Sequence, residues 1–158
     1  MPVSHVEQTI YPTLEELAES GEIPPRQARE IGRRASFAVS FGSTQHDDLS
    51  DELKELIWRV DDASYEEASQ AGGLVYYHRG TGRVAFSACF WETAEDAARA
   101  MHGTVHQQEA VPLARSGKVY RDWEITFHAI SEDAVIGFKA TPVDIGHNIK
   151  RISSPEFS

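Results

Sequence analysis

Two groups of residues in this chain have types and spacing that could do chemistry. His102 and His106 stand four apart in a segment patterned as a helix. That spacing sets them on neighbouring turns, as a metal or haem ligand pair requires. Glu109 continues the stripe. The apolar face of the segment carries Ala94, Ala97, Ala98, Met101 and Val105. His102 therefore flanks the core face and His106 lies further round. A solvated boundary stripe is the competing explanation, and spacing supplies no third ligand.

The second group is Tyr76, His78, Tyr120, Glu124 and His128. Period-two alternation assigns these side chains to one face of their strands. A neutral histidine or a carboxylate there can accept a proton from an acidic phenol or carbon acid. A tyrosine can hold the oxyanion that results. Polar residues at a sheet surface or a subunit seam fit the same pattern, because alternation does not say which strands are neighbours. Trp91 and Trp123 are large apolar groups that read as core packing. Cys89 sits in an apolar run and reads as an inert thiol. As the sole cysteine it can form neither an intramolecular disulfide nor a thiolate zinc site. No metal site is expected. Gly80-Thr81-Gly82 is a turn signal and not a phosphate loop, since a strand follows it. Ser36 and Ser87 lack a nucleophile's local context.

These residues need elements to position them. Thr13 and Glu16 are spaced as a capping box for a helix ending at Gly21. Pro24 and Pro25 open a second helix that runs to about Arg34. Phe37, Val39 and Phe41 alternate as a strand, which Gly42 to Asp48 interrupts. Ser50 caps a helix with Leu53, Leu56, Ile57 and Val60 on one face. Ser64 and Glu67 suggest a second capped turn before Gly72. Leu74 to His78 and Val84 to Trp91 form a hairpin around Arg79-Gly80-Thr81-Gly82. Thr93 caps a helix expected to reach about Glu109, and Pro112 closes the region. Val119 to Ile130 is a long strand and Val135 to Ala140 a short last one.

From residue 35 the order is strand, helix, strand, strand, helix, strand. That is the split βαβ pattern of a ferredoxin-like α+β fold with an antiparallel sheet. Residues 1–34 form a helical extension, 35–140 the domain, and 141–158 an irregular tail. In the second hairpin strand, Val84, Phe86, Ala88 and Phe90 share one side; Ala85, Ser87, Cys89 and Trp91 share the other. A strand apolar on both sides is normally covered on both. The two domain helices cover one, so a homodimer is expected to cover the other.

Composition narrows the roles. With 158 residues, 41% apolar and 25% charged, the chain is long enough for a real core. A net charge of -10 opposes a general nucleic-acid role, and the arginines at 26, 29, 33 and 34 read as a solvated helix face. No apolar stretch nears the roughly 18 residues that span a bilayer. Residues 1–10 lack the pattern of a signal peptide, so no membrane association and a cytoplasmic location are expected.

The strand Val84 to Trp91 runs into Glu92-Thr93-Ala94-Glu95-Asp96-Ala97. Together with the helix through His102 and His106 and the strand Tyr120-Arg121-Asp122-Trp123-Glu124, it resembles the dimeric α+β barrel superfamily. In particular it is similar to that superfamily's antibiotic-biosynthesis-monooxygenase-like domains. The resemblance covers about two thirds of the chain and leaves the N-terminal extension outside. It implies a dimeric α+β barrel in which two sheets meet face to face, with a pocket for a small hydrophobic or aromatic ligand. The activity implied is cofactor-independent oxidation of an aromatic or polyketide-like substrate. His78, His102 or His128 would be the base, Tyr76 and Tyr120 the hydrogen-bond donors, and Trp91, Trp123 and Glu124 the substrate contacts. The alternatives are a haem protein using His102 or His106 as axial ligand, and a non-catalytic ligand-binding or interaction protein.

Overall fold

The computed structural model describes residues 10–144 and 152–153. Local capping decides where its helices begin. Thr13 Oγ1 accepts the Glu16 N–H at 3.1 Å and Glu16 Oε1 accepts the Thr13 N–H at 2.8 Å, which starts α1 (Leu14–Ser20). Pro25 opens α2 (Pro25–Arg34). After strand β1 (Phe37–Gln45), Ser50 Oγ accepts the Leu53 N–H and starts α3 (Asp51–Ala71). Strands β2 (Leu74–His78) and β3 (Val84–Trp91) form the expected hairpin. Thr93 caps α4 (Ala94–Met101). A π-helical turn (His106–Ala110) leads into α5 (Val111–Arg115). Strands β4 (Tyr120–Asp133), β5 (Gly137–Val143) and β6 (Ile152–Ser153) follow.

The strands form one antiparallel sheet in the order β2-β3-β1-β4-β5, with β6 pairing to β4 at Asp122 and Trp123. The architecture is α+β. Several expected boundaries move. The first strand runs on to Gln45 because Gly42 to Thr44 are buried between β3 and β4. Ser64 caps nothing: it lies on the inward face of α3 between buried Val60 and Ala68, so the helix continues unbroken to Ala71. The short last strand runs from Gly137 to Val143, three residues into the expected irregular tail, and two further tail residues form β6. Residues 1–9, 145–151 and 154–158 of the expected extension and tail lie outside the described residues.

Both faces of the sheet are covered by this chain itself. On one face Phe37, Trp91 and Phe127 pack with Ala68 of α3 and with Ala97 and Ala100 of α4. On the other, Ala38, Ala88, Phe90, Ile130, Phe138 and Ala140 pack against Leu14 and Leu17 of α1, Ile23, and Ala28 and Ile31 of α2. The expectation of a second copy rested on the need to cover this apolar face. That need is met by the N-terminal helices. A close backbone approach locks α2 down: a β-carbon on Gly32 would run into the Gly137 carbonyl, and one on Gly137 would meet the Ala28 backbone. Among the described residues, no helix is long and apolar enough to cross a membrane.

If α2 is part of the core, truncating a side chain on it leaves a cavity. Ile31 is 0% exposed. Ile31→Ala is therefore expected to lower unfolding free energy by about 2–4 kcal/mol in urea titrations. A loss under about 1 kcal/mol, typical of a surface position, would mean the extension does not share the core.

Candidate functional site

The face of the sheet under α3 and α4 does not fill completely. A cavity of about 390 Å³ lies between it and the side chains of α3, the π-turn and α5. Its apolar floor includes Val39, Phe41, Cys89, Trp123, Ile125 and Phe127.

The break after α4 shapes its wall. The sequence pattern carries one helix from Thr93 to about Glu109, but α4 stops at Met101. The cause is Glu67 on α3. Its carboxylate accepts the N–H of Val105 at 2.9 Å and of His106 at 3.1 Å, so it caps a new helical start. Gly103 permits this approach, since a β-carbon there would collide with the same carboxylate. The turn that follows is π-helical, and it brings His106 and Ala110 to the cavity. His102 is left as the exposed C-cap of α4, its Nδ1–H donating to the Ala98 carbonyl at 2.7 Å. The two histidines thus do not sit on consecutive turns of one helix, and only His106 lines the cavity. Burial lowers its pKa, and the charge of His102 lowers it further against the opposing pull of Glu67. His106 is a neutral imidazole at neutral pH.

Tyr120 reaches the cavity through a bulge. Thr44 pairs with Asp122, but Gln45 pairs with Tyr120, so Arg121 is the extra residue. The slip moves Tyr120 onto the face of Trp123 and away from that of Glu124 and His128. Its ring meets the edge of Phe41 at 5.4 Å. Burial, with Asp61 nearby, pushes its pKa up to about 12, so the hydroxyl stays a donor. The Ser64 hydroxyl also lines the cavity, buried and without a partner among the described residues.

One wall is an ionic clasp that sequence reasoning missed. Arg79 Nε lies 2.6 Å from Asp61 Oδ2 and Nη1 lies 2.9 Å from Asp62 Oδ1. The guanidinium stands 5.4 Å from the Trp58 ring centre and 5.9 Å from that of Tyr77. Tyr77 Oη donates to Asp61 Oδ1 at 2.9 Å, and burial raises its pKa strongly. A signal was present: Val60, Asp61, Ser64, Glu67 and Ala68 form one i, i+3, i+4 stripe in which polar residues interrupt an apolar face. Period-two alternation adds Tyr77 and Arg79.

The remaining candidates divide between the faces. Trp91 and Trp123 are buried on the cavity side, and Trp91 Nε1 donates to Cys89 Sγ at 3.2 Å. Burial pushes the Cys89 thiol up to about 11, which leaves it protonated. Tyr76, His78, Glu124 and His128 lie on the opposite face. Tyr76 packs on Phe90, and His78 is buried 4.0 Å from Glu22. His128 is buried with Nε2 2.9 Å from Ser40 Oγ, and burial lowers its pKa to about 4 despite the charge of Glu15. The sheet therefore separates the expected acid–base group: Tyr120 joins His106, Trp91 and Trp123, and the others do not.

Residues 12–140 match the family model described as PB2B2.08-like. The chain belongs to the PB2B2.08-like family. The matched stretch begins immediately before the capping residue of α1 and ends within β5, so it takes in both N-terminal helices with the sheet. No curated protein matches the chain, and neither does any solved structure.

The buried His128 couples stability to pH. An unfolded histidine takes up its proton near pH 6.5, whereas the folded ring waits until about pH 4. The folded state is therefore favoured fully above pH 6.5 and loses that advantage as pH falls from 6.5 to 4. The expected loss is about 2–3 kcal/mol over this window. Urea titrations at stepped pH should show it in the native chain and show a flatter profile in His128→Gln.

Proposed function

We propose that this protein binds a small, largely apolar molecule with a hydrogen-bonding end in the cavity beneath α3, and acts on it by proton transfer. The observation that carries this reading is the cavity itself. An apolar space with a few convergent polar groups and perturbed titrating residues is what a small-molecule site requires. Within the wall Arg79 is matched to Asp61 and Asp62, and Glu67 to the π-turn, while the exposed Arg115 also lines the space. The cavity-lining groups suited to meeting a buried ligand are the uncharged His106 imidazole and the Tyr120 and Ser64 hydroxyls. These suit a phenol or ketone of an aromatic or polyketide-like compound.

The catalytic form of the proposal follows the monooxygenase-like resemblance. His106 removes a proton from an activated methylene, and Tyr120 donates a hydrogen bond to the adjoining enolate oxygen. The carbanion's electron pair forms a carbon–oxygen bond to dioxygen. The peroxide then loses water and leaves a carbonyl, so one substrate methylene and one dioxygen give one ketone and one water. The strand order supports a ferredoxin-like frame for this site. Read from β4, the order β4-β1-β3-β2 with α3 and α4 as crossovers is that of a split βαβ fold. To it β5 is added at the edge, and α1 and α2 on the outer face.

The neutral fluorophore N-phenyl-1-naphthylamine tests occupancy. It is expected to bind saturably at one site per chain, and Ala110→Trp, which fills the space from the π-turn, should abolish the signal in a protein with unchanged circular dichroism. Unaltered binding in that variant would remove this cavity as the site. Oxygen uptake with anthrone-like methylene compounds tests the chemistry. His106→Ala should slow turnover by about 10²-fold or more, and Tyr120→Phe should also slow it. Probe binding without oxygen uptake on any such compound would leave a ligand-binding protein and no oxygenase.

A further inference from the structure

The large cavity is lined by one charge that the protein itself leaves unanswered. Among the described residues, the charged side chains of the lining are Asp61, Glu67, Arg79 and Arg115. Asp61 meets Arg79 Nε at 2.6 Å and accepts the Tyr77 hydroxyl at 2.9 Å. Each oxygen of Glu67 accepts a backbone N–H, from Val105 and from His106. Arg79 is shared between Asp61 and Asp62. The Arg115 guanidinium has neither a hydrogen bond nor an ion pair among the described residues.

A pinned turn sets the place of Arg115. His46 Nε2 lies 2.8 Å from the Gly117 carbonyl, and the His46 N–H donates to the Val119 carbonyl at 3.0 Å. Ser116 Oγ donates to the Leu113 carbonyl at 2.8 Å and accepts the Lys118 N–H at 3.1 Å. The link from α5 to β4 is thus tied to the end of β1, with Arg115 on one side of it and Tyr120 on the other. Both line the cavity. Strand register says which end this is. Gln45 pairs with Tyr120 and Thr44 with Val84, whereas Phe37 pairs with Trp91 at the far end of the sheet. At that far end Trp91, Phe127, Ala100 and Met101 line the space.

The cavity is therefore polarised, and charge complementarity names what fits it. A cation would find both carboxylates of the lining already taken. An anion finds a guanidinium whose forked donors match a carboxylate with two hydrogen bonds. Arg115 is exposed and Trp58 is 52% exposed, while both also line the space, so the cavity meets solvent at this end. A carboxylate placed there keeps contact with water while the rest of the molecule goes in. The desolvation penalty of a fully buried ion pair does not arise.

We propose that the ligand of this cavity is an amphipathic carboxylic acid, its apolar body directed toward Trp91 and Phe127 and its carboxylate paired with Arg115 at the opening. The inference rests on the reading of the cavity as a small-molecule site, and it adds an acid group to the phenol or ketone of that reading.

Displacement of N-phenyl-1-naphthylamine from the full chain by three matched competitors tests this. They are 1-naphthylacetate, 2-(1-naphthyl)ethanol and 2-(1-naphthyl)ethylammonium, which share a ring system and differ in charge at the end of the arm. The acetate should compete about tenfold better than the alcohol at neutral pH, and the ammonium worst. Added salt should narrow the difference, because an exposed pair is screened. Arg115→Gln should bring the acid-to-alcohol ratio to about one, and Arg115→Lys should keep part of it. The ratio is the readout, so a general loss of affinity in a variant does not imitate the result. An acid that competes no better than the alcohol, an advantage that survives Arg115→Gln, or acid binding retained in Ala110→Trp would each overturn the proposal. Those outcomes leave the fluorophore bound in the native chain. A fluorophore that does not bind there at all would instead overturn the cavity reading, and this inference with it.

Discussion

The central strands of this sheet are apolar on both faces, and water must be kept from both. Ala88 and Phe90 project to one side of β3, and Cys89 and Trp91 to the other. Alternation makes this unavoidable: residues that serve one layer leave their neighbours for the second. The fold answers with three layers from one chain. Helices α3 and α4 lie on one side, α1 and α2 on the other. The Gly32–Gly137 contact shows how closely the outer layer is fitted.

The two layers close differently, and the difference leaves the larger cavity on one side. Under α3 the covering is interrupted, because α4 ends early and a π-turn replaces its last turns. The chain that would have filled the space bends to meet the Glu67 carboxylate. What remains is a largely apolar chamber in whose wall Arg79 is matched to Asp61 and Asp62. Across the sheet, α1 and the residues before it lie over polar strand residues, and the lining there is acidic. One sheet thus presents two chemical environments back to back. The histidines record the contrast. Burial lowers the pKa of His106 and His128 alike, but one ring lines the larger, mostly apolar chamber and the other meets the Ser40 hydroxyl across the sheet.

Membership of the PB2B2.08-like family is consistent with this integration, since the matched stretch spans α1 through most of β5. The helical segment ahead of the first strand belongs to the packed core. Without α1 and α2, the surface carrying Phe90 and Phe138 would lie open.

The sequence by itself determined the local elements. Capping residues Thr13, Ser50 and Thr93, the prolines at 24 and 25 and the glycine-rich hairpin act over a few residues, so their effect is legible without the rest of the chain. The alternation in β3 also announced that two coverings were needed. Which covering came was a tertiary matter, because alternation records that a strand face is apolar and not which apolar surface meets it. The fate of the fourth helix was decided by a carboxylate some forty positions away, which no local period records. Tyr120 changed face through a single bulged residue, and period-two reasoning fails wherever a register slips. The grouping of His106, Tyr120, Ser64 and the Arg79 clasp therefore belongs to the packed structure, since side chains far apart in sequence meet only when a sheet and two layers bring them there.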